Sequence, residues 1–232
     1  MALDKFGTAG LDGSMRLGSS FIPALCLLSA SLCLADDKGW TTIDQEDGIT
    51  VSKRQQPGCA MPSFRGQGKI RGNVLQVLAV MLDLKGVQHW AHGIESSKPI
   101  QRIDERSHLL YLTSDLPWPV RDRDMIVRTD VEVLKPKEQF RIALHCEPKA
   151  QPETSMIRVQ QCESTMTLKK IDEQTTEVDY IMTLDPGGYL PRWAIEFVTK
   201  NTPRKTLVRI EERAAESVGQ YAAAVRSWSA AL

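Results

Sequence analysis

Four histidines are the first candidates for chemistry, because imidazole binds metals and exchanges protons near neutral pH. His89 and His92 are three residues apart, a spacing that places both rings on one face of a helix, while His108 and His145 stand alone. A metal site needs further ligands, and no cysteine or carboxylate cluster completes a set near the pair. The spacing therefore predicts surface or internally satisfied histidines and no metal centre.

A run of alternating charges, Arg121–Asp124, is the second candidate. It is open to two interpretations. In one, the run is a solvated strand edge with weak local ion pairs. In the other, Arg123 turns inward and, with Asp124, fixes the loop or meets a polar ligand head. Trp118, between two prolines, is either a rigid core residue, which we favour, or a rim residue over an opening.

Motifs that would mark an enzyme are missing from the sequence. It contains no Gly-x-Ser-x-Gly elbow, phosphate-binding loop or dinucleotide fingerprint, and no pair of carboxylates stands out. We therefore predict no catalytic residue and no cofactor, and a protein that binds a molecule without transforming it.

The charge balance of the chain limits the class of partner. Its 232 residues contain 29 Lys plus Arg and 29 Asp plus Glu. A neutral chain has no overall field to hold a nucleic-acid backbone, so we predict no nucleic-acid partner. An apolar partner would be recognised by shape and burial. The length favours one domain, and we expect a monomer.

The N-terminal 35 residues are typical of a targeting segment. Arg16 follows an internal Met15, an uncharged stretch runs from Leu17 to Ala35, and small residues precede Asp36. We predict a signal peptide over residues 1–35, with Met15 as an alternative start, cleavage near Ala35, and export to the periplasm or medium. An uncleaved anchor and a buried N-terminal helix are the alternatives. Residues 36–232 would form the single domain.

Three cysteines would remain after export: Cys59, Cys146 and Cys162. We expect Cys146 and Cys162 on neighbouring strands, but not opposite each other. We therefore expect buried free thiols rather than a Cys146–Cys162 bridge.

Hydrophobic periodicity predicts strands, then two short helices, then more strands. Residues 49–53 and 63–70 alternate around a Pro-Gly turn, and helical spacing begins after Asn73, with a second short helix over residues 84–94. Five further strands are predicted over 109–113, 125–133, 140–144, 156–168 and 178–184.

The alternation leaves one face of this sheet apolar. An amphipathic helical region over residues 190–228, restarted at Pro203, can cover that face. The order predicts an α+β protein in which a curved antiparallel sheet grips a long C-terminal helix.

Two segments, Leu116–Met125 and Leu184–Trp193, resemble START domains, the steroidogenic-acute-regulatory-related lipid transfer family. Arg123-Asp124 before an apolar strand matches one family motif, and Gly188-Tyr-Leu-Pro-Arg-Trp193 matches the approach to the last helix. The similarity covers about residues 40 to 215. It implies a helix-grip fold that encloses a tunnel for one sterol, phospholipid, ceramide or similar molecule, with the C-terminal helix and nearby loops as a gate.

The resemblance and the apolar strand faces together predict the residues that contact ligand: Trp118, Arg123, Met125, Val127, Val131, Val133, Phe140, Ile142, Leu144, Met166, Leu168, Tyr180, Met182, Leu184, Trp193 and Phe197. Gly187 and Gly188 are the predicted hinge of the gate. Several lipid-transferring members carry a second Arg six residues after Arg123, where this chain has Thr129. By strand alternation, Arg128 should face away from the side of the sheet that Thr129 faces.

We therefore predict an exported carrier or sensor that binds a lipid or sterol-like molecule, with transient membrane contact. One alternative is an enzyme of the same cavity fold, cyclase-like or hydrolase-like. The other is an interaction scaffold whose cavity is filled by its own side chains.

Overall fold

A computed structural model describes residues 39–55, 61–188, 190–191 and 201–216. Several predictions lie outside these residues: the signal peptide over 1–35, Cys59, the ligand contacts Trp193 and Phe197, and the helical stretch after residue 216.

The strands and helices follow one another in the predicted order. An additional strand lies at each edge of the sheet. The elements are β1 Thr41–Glu46, β2 Ile49–Arg54, β3 Ser63–Arg71, α1 Val74–Met81, α2 Val87–Trp90, β4 Ser96–Arg102, β5 Ser107–Ser114, β6 Arg123–Lys135, β7 Gln139–Cys146, β8 Ile157–Arg158, β9 Gln161–Lys170, β10 Thr175–Asp185 and α3 Thr202–Glu216.

Within the described residues, ten strands form one sheet. Nine follow the order β1-β2-β3-β10-β9-β7-β6-β5-β4 with antiparallel pairing, and β8 pairs in parallel with the start of β6. The pairing of β3 with β10 brings the first strands beside the last one. This long-range closure curves the sheet around its apolar face.

The register places apolar residues in rows across that inner face. Phe140 lies opposite Val133 on one side and Leu168 on the other, and Ile142 lies between Val131 and Met166. Phe140 and Leu168 are fully buried. Such rows of apolar pairs fix the register, because a one-residue slip would turn every side chain to the wet face.

Helix α3 packs on the inner face of the sheet and comes closest to the sheet at β3. A Cβ atom on Gly66 would lie 2.8 Å from Cβ of Pro203, so the absence of a side chain lets the helix approach. Leu207 and Ile210, one turn apart on α3, are both fully buried. The first turn of α1 is held by a capping box. The Asn73 side chain accepts a hydrogen bond from the N–H of Leu75, and the Gln76 side chain accepts one from the N–H of Asn73.

No helix in the described part of the chain has the length and apolar character needed to cross a bilayer.

Candidate ligand-binding cavity

An apolar cavity of about 150 Å³ lies between the inner face of the sheet and the helices. It occupies the end of the sheet where β5 stops and β6 starts. The described lining residues are Met81, Val87, Trp90, Ala91, His92, Gly93, Ile94, Leu112, Ser114, Asp115, Leu116, Met125, Val127, Leu144, Cys162, Glu163, Ser164, Met166, Tyr180, Met182, Thr183, Leu184, Thr202 and Thr206. A cavity of this volume holds a benzene-sized group, so binding of a whole lipid chain requires the helices or the wall side chains to move apart.

Seven predicted contact residues lie in the cavity wall: Met125, Val127, Leu144, Met166, Tyr180, Met182 and Leu184. Five others face the same side of the sheet but lie outside the wall: Val131, Val133, Phe140, Ile142 and Leu168. They pack the solid core at the other end of the strands. Alternation gives the face of a residue and not its position along the strand, so it could not place these five relative to the cavity. Their contact with a ligand stays a prediction.

Trp118 was predicted wrongly as a core residue, and its contact with a ligand stays a prediction. Its side chain is 92% exposed, whereas the neighbouring Leu116 is buried and lines the cavity. The loop between β5 and β6 therefore turns its leucine inward and presents its tryptophan to solvent.

Arg123 turns inward, as one of its two interpretations required. It is 2% exposed, and its guanidinium donates to the carbonyl oxygens of Pro186 at 3.4 Å, Gly187 at 3.3 Å and Arg121. Burial, with the nearby charge of Arg121, lowers the pKa of Arg123. Arg123 fixes the loop after β10 and is not among the described residues of the cavity wall. Its contact with a ligand stays a prediction.

The predicted hinge lies in this loop. Gly187 and Gly188 have φ angles of 67° and 64°, a region that favours glycine, and the N–H of Gly187 donates to Oδ1 of Asp185 at 2.9 Å. Their role as a hinge stays a prediction.

Asp124 points to the other face of the sheet, where it meets a residue that the sequence analysis missed. Arg158 donates to both Asp124 oxygens, at 2.8 and 2.9 Å, and to the carbonyls of Pro148, Gln151 and Pro152. The Asp124 and Arg158 side chains are 0% and 5% exposed. Burial raises the pKa of Asp124, but the Arg158 and Thr154 hydrogen bonds outweigh it, so the pKa lies below its usual value. The pair anchors the segment after β7 to β6.

The polar groups of the cavity come from the sheet and from the helices. Tyr180 forms a side-chain hydrogen bond with Ser164, and burial raises the pKa of Tyr180 to about 12. His92 donates its backbone N–H to Thr206 Oγ1 at 3.1 Å, while its buried Nδ1 has no hydrogen-bond partner among the described residues.

The pKa of His92 falls to about 4, chiefly because of burial, with the charges of Lys205 and Arg209 adding to the effect. The expectation of a surface or satisfied histidine was therefore wrong at His92. In the described part of the chain, no group of three or more His, Cys, Asp or Glu side chains could hold a metal ion.

The predicted difference between Thr129 and Arg128 is confirmed. Thr129 is buried on the inner side and donates to the His108 carbonyl at 3.5 Å. Arg128 lies on the outer side and pairs with Asp130 at 3.1 Å. Position 129 therefore carries no cation in place of the second arginine that several family members have.

The preference for free thiols was wrong for two of the three cysteines. Cys146 and Cys162 form a disulfide, with their Cα atoms 5.1 Å apart. The pairs Leu144–Ser164 and His145–Glu163 show that β7 and β9 meet in a register that continues to Cys146 opposite Cys162. A long excursion containing β8, not a tight turn, joins the two strands, so it does not restrict their register. Cys162 is part of the cavity wall.

A curved antiparallel sheet, a helix across its apolar face and a cavity between them define a helix-grip protein. The chain belongs to the START domain family, whose model matches residues 25–216.

Two curated relatives show how far the similarity extends. The chain is 28% identical over 179 residues to an uncharacterized protein of Pseudomonas aeruginosa, covering 77% of this chain and 87% of the relative. It is 22% identical over 167 residues to the phosphatidylcholine transfer protein of Mus musculus, covering 70% and 77%.

Solved structures share the fold. A STAR-related lipid transfer protein fragment from Xanthomonas axonopodis superposes with a TM-score of 0.68 at 23% identity, covering 76% of this chain and 99% of that one. The Zhui aromatase/cyclase from a Streptomyces species superposes with a TM-score of 0.53 at 15% identity, covering 68% and 96%.

Proposed function

We propose that the protein binds one lipid-like apolar molecule in the cavity beside α3 and acts as an exported carrier or sensor. The observation that carries this proposal is the cavity wall, which is built mainly from aliphatic, methionine and aromatic side chains. Burial of lipid surface against such a wall contributes roughly 25 cal/mol per Å². The names of the mouse and Xanthomonas relatives, both lipid transfer proteins, support the same function.

Catalysis is less well supported by the same wall. A general base or acid works best with a pKa near the operating pH. The pKa of His92 is about 4 and that of Tyr180 about 12, so neither group is matched to proton transfer at neutral pH. These values favour binding over a cyclase-like or hydrolase-like reaction.

Export is supported by the Cys146–Cys162 bridge, because structural disulfides persist in oxidising compartments. Native mass spectrometry of the full chain, purified from its own host, tests export and binding together. We expect a protein mass that corresponds to cleavage after Ala35 and an added mass that organic solvent removes. An uncleaved chain would contradict export. A cleaved chain that carries no added mass and takes up none of the sterols, phospholipids, fatty acids or quinones offered would contradict the carrier function.

Filling the cavity should block binding. Ser164 lies in the wall, while the next residue of β9, Thr165, faces the outer side. We expect Ser164→Trp to weaken binding of a fluorescent apolar probe at least roughly tenfold, because the indole takes up much of the available volume. Thr165→Trp is the matched control and should bind as the wild type does. Equal binding by both variants would place the ligand elsewhere.

Trp118 supports the transient contact with a membrane that we also propose. Its exposed indole extends from the loop between β5 and β6, at the same end of the sheet as the cavity, and indole partitions into the bilayer interface.

We expect Trp118→Ala to weaken association with phosphatidylcholine vesicles about tenfold, as measured by co-sedimentation. Ile171→Ala removes another exposed apolar side chain, at the opposite end of the sheet, and should have little effect. If the two variants lose vesicle binding equally, or if neither loses it, Trp118 is not the contact.

A further inference from the structure

The part of the cavity wall that the structure describes offers no positive charge to a ligand. No lysine or arginine occurs among its described lining residues, whereas one carboxylate, Asp115, lies at its exposed margin. Arg123 faces the inner side of the sheet, but it is buried and donates to three backbone carbonyls. A phosphate or carboxylate head group drawn into this cavity would lose its water without gaining a counter-charge.

The sheet side of the cavity does offer hydrogen bonds to a neutral group. The Tyr180 and Ser164 hydroxyls together carry two hydrogens and four lone pairs. The hydrogen bond between them uses one hydrogen and one lone pair. One hydrogen and several lone pairs remain. A hydroxyl or carbonyl group of a ligand can pair with them without any change of charge.

The helix side of the cavity offers another such group. The Nδ1 atom of His92 is buried and has no hydrogen-bond partner in the described part of the chain. The bond from its backbone to Thr206 holds this residue in the wall. Lys205 and Arg209 of α3 are close enough to act on the imidazole, but neither lines the cavity. Because its pKa is about 4, the ring is neutral at physiological pH and can accept or donate one hydrogen bond.

We propose that the cavity selects neutral lipids whose polar group is a hydroxyl or a carbonyl, received by Tyr180, Ser164 and His92, and rejects lipids with an anionic head group. The inference rests on the proposed function, since it specifies the ligand of the same cavity. Its physical basis is the imbalance between the polar groups that a buried ligand would meet. Neutral donors and acceptors are present and unsaturated, while the charged group that the structure describes at the margin, Asp115, is negative.

A series of ligands with one alkyl chain and different heads tests the selection. The full chain is loaded with the apolar fluorophore N-phenyl-1-naphthylamine and titrated with dodecan-1-ol, methyl dodecanoate, dodecanoate and dodecane at about pH 7.5, where the dodecanoate is ionised. We expect the alcohol and the ester to displace the fluorophore at concentrations at least roughly tenfold lower than the carboxylate. If dodecanoate competes as well as the ester, the selection is wrong although the carrier function stands. If the fluorophore and all four ligands fail to bind, the proposed function and the inference fail together.

Variants assign the selection to its residues. The quantity compared is the ratio of the alcohol affinity to the dodecane affinity within each protein, which cancels general losses of fit. We expect Tyr180→Phe and His92→Phe each to lower this ratio by about three- to tenfold, since each removes one hydrogen-bonding group. Tyr111→Phe is the matched control, because its hydroxyl bonds Asp124 on the outer face of the sheet. An unchanged ratio in both cavity variants, or an equal fall in the control, would overturn the assignment.

Discussion

Replacing Arg158 with alanine is expected to lower the free energy of unfolding by about 3–5 kcal/mol, because the change leaves a buried carboxylate without its counter-charge. Asp124 is fully buried, and after the replacement it would retain only the hydroxyl donors of Thr154, at 2.7 Å, and Tyr111, at 3.2 Å. Three backbone carbonyls would also lose their donor. Urea unfolding followed by circular dichroism measures the change.

A double-mutant cycle separates the ion pair from the rest of the network. We expect Asp124→Ala with Arg158→Ala to cost less than the sum of the single changes, with a coupling of about 1–3 kcal/mol. Arg141→Ala is the control, since its pair with Glu132, between β7 and β6, is exposed and should contribute less than about 1 kcal/mol. Additive costs in the cycle, or an equal cost for the exposed pair, would show that Arg158 does not act through Asp124.

Removing the disulfide is the second large effect. We expect Cys146→Ala with Cys162→Ala to lower the free energy of unfolding by about 3 kcal/mol, because the bridge closes a loop with a sequence separation of 16 residues and restricts the unfolded chain. Thermal unfolding with and without a phosphine reductant provides the control. The reductant should lower the midpoint of the wild type and leave the double variant unchanged. If it leaves both unchanged, the bridge does not stabilise the fold; if it lowers both equally, its effect has another cause.

The sequence predicts the central strands better than the edges. Strands β3, β6 and β10 have an apolar face and a polar face, so their alternation is clear. The edge strands β1 and β4 were not predicted, because most of their residues are exposed and Pro99 interrupts β4. The single strand predicted over 156–168 is two strands, since β8 leaves the path of β9 to pair with β6.

The site was harder to predict than the fold. Strand alternation correctly identified the inward face that carries Met166 and Met182, but it gave no information on which end of that face is hollow. The helix residues of the wall, including Trp90 and His92, belong to a four-residue helix and the turn after it, too short for a clear period. The Asp124–Arg158 pair joins residues 34 positions apart across an irregular segment, and no local pattern in the sequence indicates it.

The bridge between Cys146 and Cys162 also determines from which side the cavity can open. It fastens two adjacent strands whose ladder already holds them together, and one of its cysteines is in the wall. The strand side of the cavity is therefore closed by a covalent bond as well as by strand pairing. The opposite side is held by separable hydrogen bonds, from His92 to Thr206 and from Arg123 to the loop carbonyls. We therefore expect a molecule passing in or out to move the helices and the loop, and to leave the sheet in place.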